Sequence, residues 1–195
     1  MLLRKTNAPK RSGAALAEFV LVLNFIMIPL MIGLWEMGRV MHVQQIVANS
    51  AREGSRMAAQ ATTIKESGAP IQIKAEVWPN PTQDPNVKAA VMQYLSGAGL
   101  NRLNYSDVDV SFAFLDTPAG AIVGATEPFQ GVKGQLFRVT VTIQNTAGNN
   151  DALTKKCLWT TLGIVKPTAV SFTAQWRMLV DDTFSINATL PTNNP

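Results

Sequence analysis

From Phe19 to Trp35 the chain carries no charged side chain, and extending this apolar run back to Ala14 adds only Glu18. As a helix rising ~1.5 Å per residue, Ala14 to Trp35 spans roughly 33 Å, the thickness of one bilayer core. The pattern therefore predicts a membrane-spanning helix. Inside it Asn24, Pro29 and Gly33 interrupt the apolar residues. The proline removes a backbone donor, which predicts a bend or local loosening between Phe25 and Pro29.

Beyond Trp35 the pattern changes from apolar to amphipathic. Met37, Val40, Met41, Val47, Ala48, Ala51 and Ala58 recur every three or four residues, and Arg39, His42, Asn49, Arg52, Glu53 and Arg56 make the other side. The helix should thus continue over 36–60, outside the membrane. The small positions Ala48, Ala51, Gly54, Ser55 and Ala58 would let a second element approach closely, whether the chain's own sheet or a neighbouring helix in a fibre. Periodicity is lost over 61–70, with Ser67-Gly68-Ala69-Pro70 as the expected stop.

Strand patterns dominate the remainder. Ile71, Ile73, Ala75 and Val77 alternate with polar residues as an edge strand would. Three stronger alternations follow: Val108, Val110, Phe112 and Phe114; Phe137, Val139, Val141 and Ile143; and Val170, Phe172, Ala174, Trp176 and Met178. Each has one face to bury, which an antiparallel sheet laid on the extramembrane helix would do. Two short helices complete the pattern. One is capped at Asp84-Pro85, buries Val87, Ala90, Val91, Tyr94 and Leu95, and stops at Gly97 or Gly99. The other runs from Asp151 to Leu162, stops at Gly163, and turns Leu153, Cys157 and Leu158 inward. The glycine-rich connection from Asp116 to Gly134 reads as a functional surface loop or as filler.

The fold class expected is therefore α+β: a long N-terminal transmembrane helix with an amphipathic extension packed on a small antiparallel sheet, plus two short helices. The expected divisions are a basic leader at 1–13, the span at 14–35, its extension at 36–60, an extracytoplasmic α+β domain at 61–186 and a frayed tail at 187–195.

Charge sets topology rather than ligand. The net charge of +4 and pI near 9.4 suit a nucleic-acid binder in principle. Yet Arg4, Lys5, Lys10 and Arg11 precede Gly13 with no acid among them, which leaves 13 basic against 13 acidic residues in the rest of the 195. A basic segment ahead of the span stays in the cytoplasm and sends the C-terminal part across. No basic stripe is interleaved with aromatics, so nucleic acid is not an expected partner. The single cysteine, Cys157, excludes an internal disulfide and reads as a small core residue.

A secretory signal peptide carries its cleavage site after the apolar core. Here the small-residue site, Gly13-Ala14-Ala15-Leu16-Ala17-Glu18-Phe19, comes first. It resembles the processing site of type IV prepilins, cut on the cytoplasmic side after a glycine. Ala48-Asn49-Ser50-Ala51-Arg52-Glu53-Gly54-Ser55-Arg56-Met57-Ala58-Ala59 resembles the signature that follows the transmembrane helix in TadE-like proteins, the minor pilins or pseudopilins of tight-adherence pili. The likeness covers Arg11 to Ala59, under a third of the chain.

The resemblance implies cleavage between Gly13 and Ala14 by a prepilin peptidase, with Glu18 and Phe19 serving subunit pairing. Glu18 would meet the new amino terminus at Ala14 of a neighbouring subunit, a paired charge being favourable in low dielectric where an unpaired one is costly. The other reading of Glu18 is a carboxylate snorkelling at the membrane edge. Asn49, Ala51, Arg52, Glu53, Gly54 and Arg56 are the family-signature positions on the helix. Implied partners are the peptidase, other pilin or pseudopilin subunits, the inner-membrane assembly machinery and the lipid bilayer. The implied location is the bacterial inner membrane, single-pass, with passage into an extracellular pilus on assembly.

Signs of catalysis are few. There is no phosphate-binding loop, Cys pair or Cys/His cluster, and no Gly-x-Ser-x-Gly elbow to join the lone His42. No cofactor, metal or small-molecule substrate is expected. Asp107 with Asp109, and Asp181 with Asp182, are the acid pairs of the soluble part, and the first pair would share a strand face. Two readings from other classes stand beside the pilin one: a permanently anchored extracytoplasmic binding module, and an anchored hydrolase using those acids.

Overall fold

A computed structural model describes residues 12–64, 70–76, 85–144, 152–158 and 168–180. The leader up to Arg11, the Ser67 to Ala69 part of the expected stop, Val77, Asp84, Asp151, Gly163, Asp181, Asp182 and the tail at 187–195 lie outside them.

Helix α1 runs unbroken from Ser12 to Ala59, and the chain stays helical through Pro29. At ~1.5 Å per residue it is roughly 70 Å long, about two bilayer cores end to end. Its lower half is bare. The most apolar window of the helix buries none of its surface in the protein. From Glu36 upward one face disappears under the domain: Glu36, Val43, Ile46, Val47, Ser50, Ala51, Gly54, Ser55 and Ala58 are buried.

This face corrects the amphipathic stripe read from the sequence. Met37 and Met41, placed on the apolar side, are more than half exposed, while Ser50 and Ser55 are fully buried. Hydrophobicity misleads here because, beyond Val43, Ile46 and Val47, the domain approaches α1 on small residues. The two serines satisfy their hydroxyls within the helix, Ser50 Oγ donating to the Val47 carbonyl and Ser55 Oγ to the Ala51 carbonyl, both at 2.8 Å. A Cβ built on Gly54 would lie 2.8 Å from Val91 Cγ2 and 3.2 Å from Val87 Cγ1.

Helix α1 ends at Ala59, within one residue of the extension expected over 36–60 and ahead of the Ser67 to Pro70 segment. The cause is Ala61, held in a left-handed conformation (φ 58°) that turns the chain back. Burial and the bond its carbonyl accepts from the Ile73 amide (2.9 Å) hold it there. Two short strands follow, β1 (Thr62–Ile64) and β2 (Pro70–Gln72), paired antiparallel. Strand β1 was not expected, and β2 is shorter than the alternation over 71–77 suggested.

Helix α2 spans Val87–Gly97. Its cap is Asn86 rather than Asp84: the Asn86 side chain accepts from the Ala89 amide at 2.7 Å, placing Pro85 before the cap. Val87, Val91 and Leu95 are buried as expected, Ala90 is half-buried and Tyr94 lies exposed.

The main sheet is antiparallel in the order β3 (Val108–Phe114), β4 (Leu136–Gln144), β5 (Ala169–Arg177). Central β4 buries Phe137, Val139, Val141 and Ile143 completely. Each such side chain contributes about 1.5–3 kcal/mol of transfer free energy. Strands β4 and β5 lie over α1, and β3 over α2. On β5 the expected inward set is incomplete, because Trp176 near the strand end is 44% exposed. The segment expected as a helix from Asp151 is a π-type turn over Ala152–Leu158, with Leu153, Cys157 and Leu158 buried.

The long connection is pinned rather than loose. The Glu127 carboxylate accepts from the Ala75 amide (2.7 Å), Phe129 N–H donates to Ile73 O (3.2 Å), and Asp116 Oδ1 accepts from the Leu136 amide (2.7 Å).

Gly54→Leu should lower the stability of the full chain in detergent by at least ~2 kcal/mol, since the space it would enter is already filled. A denaturation midpoint equal to that of the wild type would contradict this packing.

Candidate processing and assembly surface

The sequence-predicted site residues lie on α1 in two groups. Gly13 sits in the first turn, exposed, with nothing within 4 Å of where a Cβ would be. Ala14 continues the helix. Glu18 and Phe19 are exposed on the next turn, and Phe19 shows 66% of its surface. Residues four apart share a helix side, and the backbone of Glu18 lies about 6 Å along the axis from that of Ala14. Among the described residues no group of this chain pairs with Glu18.

The second group begins at Asn49, roughly 50 Å further along α1. The structure does not bring the two groups together; it places them at opposite ends of one rod. The signature itself divides in two. Ala51 and Gly54 face inward, with Ser50, Ser55 and Ala58, and form the floor on which α2 and the sheet rest. Asn49, Arg52, Glu53 and Arg56 form an outward polar rail. Arg52 Nη1 donates to Asn49 Oδ1 at 3.0 Å, and its guanidinium stands 5.9 Å over the Phe172 ring of β5. Arg56 grips Glu53 with two bonds, 3.0 and 2.6 Å. That grip holds the Glu53 carboxyl below its ordinary range, with partial burial working against it, and raises the Arg56 guanidinium. The rail is thus a row of internally satisfied, exposed donors and acceptors. It offers polar contacts to another molecule and no activated nucleophile or base.

The acid pair does not form. Asp109 lies exposed on β3, whereas Asp107 belongs to a 3-10 turn, Tyr105–Asp107, and is buried. Asp107 Oδ2 accepts from the Asn104 amide at 2.7 Å and from Lys156 Nζ at 2.5 Å, while Oδ1 is buried without a partner. The two carboxylates therefore do not share a face. The ion pair across 49 residues was not foreseen, although Asn104-x-x-Asp107 carries the spacing of a capping box.

Two further features were missed. Lys88, buried at the start of α2, pairs with Glu76 (2.7 Å) and lies 4.3 Å over the Tyr105 ring. Burial, helped by the Glu76 charge, pushes the Tyr105 hydroxyl up to about 12. Glu36, the first residue past Trp35, is buried with Oε2 unpartnered among the described residues.

Cys157 is buried, as expected of a core residue. Burial and the neighbouring Asp107 push its thiol up to about 11, Lys156 opposing, so at neutral pH it stays protonated and unreactive. His42 is exposed and lines, with Arg39, Lys156 and Cys157 among others, a cavity of about 260 Å³. Among the described residues no three His, Cys, Asp or Glu side chains cluster as metal ligands would.

The family model described as TadE-like protein matches residues 13–56. The match begins at the glycine heading α1 and closes on the last residue of the polar rail. It takes in the bare helix and the floor beneath the sheet, and it agrees with the resemblance carried by the two motifs. It supports a pilin-like protein associated with a tight-adherence pilus, and so contact with other pilus components. The single N-terminal apolar helix fits a single-pass membrane protein. Comparison with curated proteins and with solved structures gives no match.

Lys156→Met should destabilise the full chain by about 2–4 kcal/mol, because it strands a buried carboxylate. Adding Asp107→Asn should recover a measurable part of that loss in the same denaturation experiment. A double variant no more stable than Lys156→Met would show that the pair does not matter.

Proposed function

We propose that this chain is a TadE-like minor pilin or pseudopilin. A prepilin peptidase cleaves it after Gly13, and it then serves as a structural or initiating component of a tight-adherence pilus. The observation that carries the reading is the coincidence of the family match with one feature of the fold. Residues 13–56 are the stretch over which a bare, membrane-length helix, headed by an exposed glycine and an exposed Glu18, becomes the floor of a folded domain.

In this role the protein has no catalysis of its own and is the peptidase's substrate. The exposed first turn at Gly13 leaves the scissile bond open to an enzyme. After cleavage, the amino group of Ala14 on one subunit and the Glu18 carboxylate on the next neutralise each other within the apolar layer. Attraction between the two grows as water is excluded, so the pair favours assembly over the isolated subunit. The polar rail, Asn49, Arg52, Glu53 and Arg56, supplies contacts between subunits outside the membrane. The topology is cytoplasmic at the amino end, with the domain on the far side of the inner membrane.

Gly13→Leu should leave a full-length, membrane-inserted protein in cells whose wild-type chain is shortened. Appearance of the shortened form from this variant would refute cleavage after Gly13. Glu18→Ala should spare insertion and weaken incorporation into pili, and a normal yield of pili from that variant would remove the proposed pairing.

A further inference from the structure

Asn24 lies about 15 Å from either end of the apolar span, at the centre of the bilayer, and it is exposed there. Lipid tails cannot satisfy an amide, and an unbonded polar group at that depth costs several kcal/mol. A bare helix carrying such a group is driven to find another helix with a polar side chain at the same depth.

The position of Asn24 around α1 points to which helix that is. At heptad spacing it continues through Met31, Gly38, Gln45 and Arg52, and all five residues are exposed. The chain's own sheet and α2 cover the opposite side of the helix, through Val43, Val47, Ser50 and Gly54. Gly38 has no side chain and nothing within 4 Å of where one would begin, so a second helix has room to approach just above the membrane. Gln45, a second exposed amide, stands three heptads above Asn24 on the same line, outside the bilayer.

We propose that Asn24 pairs two copies of this chain within the membrane before or during assembly. The amides bond to each other across a two-fold axis along the membrane normal. A second copy is the occupant the chemistry favours. Inserted with the same topology, it presents the identical donor and acceptor at the identical depth, and it brings Gly38 to Gly38 and Gln45 to Gln45 without a shift in register. The inference rests on the reading of Ala14–Trp35 as a membrane span, but not on cleavage after Gly13.

The test is oxidative cross-linking of the full chain in native membranes, with Cys157→Ala removing the native thiol and one new cysteine added. Met31→Cys, on the Asn24 line, should give a covalent dimer of twice the chain mass. Val22→Cys, on the other side of the helix, should give little. Adding Asn24→Leu to Met31→Cys should weaken dimerisation by roughly 3- to 20-fold, and Asn24→Gln should largely preserve it. Equal cross-linking at positions 22 and 31, a product of different mass, or a dimer indifferent to Asn24→Leu would each overturn the proposal. Fractionation of the same samples separates the two readings. Protein that stays in the membrane without dimerising contradicts the pairing alone, whereas protein extracted by alkaline washing contradicts the span as well.

Discussion

Everything in this molecule hangs on the continuity of one helix through two solvents. Over its first half α1 presents apolar side chains in all directions, as lipid requires. Over its second half the same backbone presents one face of small residues to a sheet and a second helix, and the rest to water. No turn or linker separates the halves. The chain stays helical through Pro29, so the span and the floor of the domain belong to one continuous helix.

The small residues that let the domain sit on α1 also explain how the signature region serves two purposes. Ala51 and Gly54 cannot be enlarged without pushing α2 or the sheet away, while Asn49, Arg52, Glu53 and Arg56 alternate with them and point outward. One short run of helix thus fixes the internal packing and the external polar rail in a set angular relation. A side chain changed on the inward set would disturb the outward set through the backbone they share. Below, Glu18 and Asn24 are the polar exceptions among lipid-facing residues, and the two lie on different sides of the helix. The Glu18 and Asn24 contacts therefore use separate sides of the rod, whereas the polar rail, through Arg52, lies on the Asn24 side.

Period-2 and period-3.6 patterns made α2 and the three strands of the main sheet legible, because each buries an apolar face, and the unbroken apolar run from Phe19 to Trp35 announced the lower half of α1. What stayed illegible was decided by contacts between residues far apart in the chain. Nothing local announces that Asp107 is drawn into a buried pair with Lys156 instead of lying beside Asp109. Ala61 gives no sign that it will take a left-handed turn, since alanine has no preference for one and only its burial and its bond with Ile73 impose it. The side of α1 that packs was misread for a related reason: Met37 and Met41 are more hydrophobic than Ser50 or Gly54, but close approach depends on size. The proposed processing and pairing residues were legible only as a motif. Gly13, Glu18 and Phe19 are exposed, and among the described residues no tertiary contact marks them.

The central claim is that α1 begins, in the working protein, at the residue after Gly13. The amino-terminal sequence and intact mass of the protein purified from its native membrane or pili test this most directly. The account predicts a chain beginning at Ala14. A mature chain beginning at Met1 would contradict it and make the protein a permanently anchored module whose domain acts by binding outside the membrane.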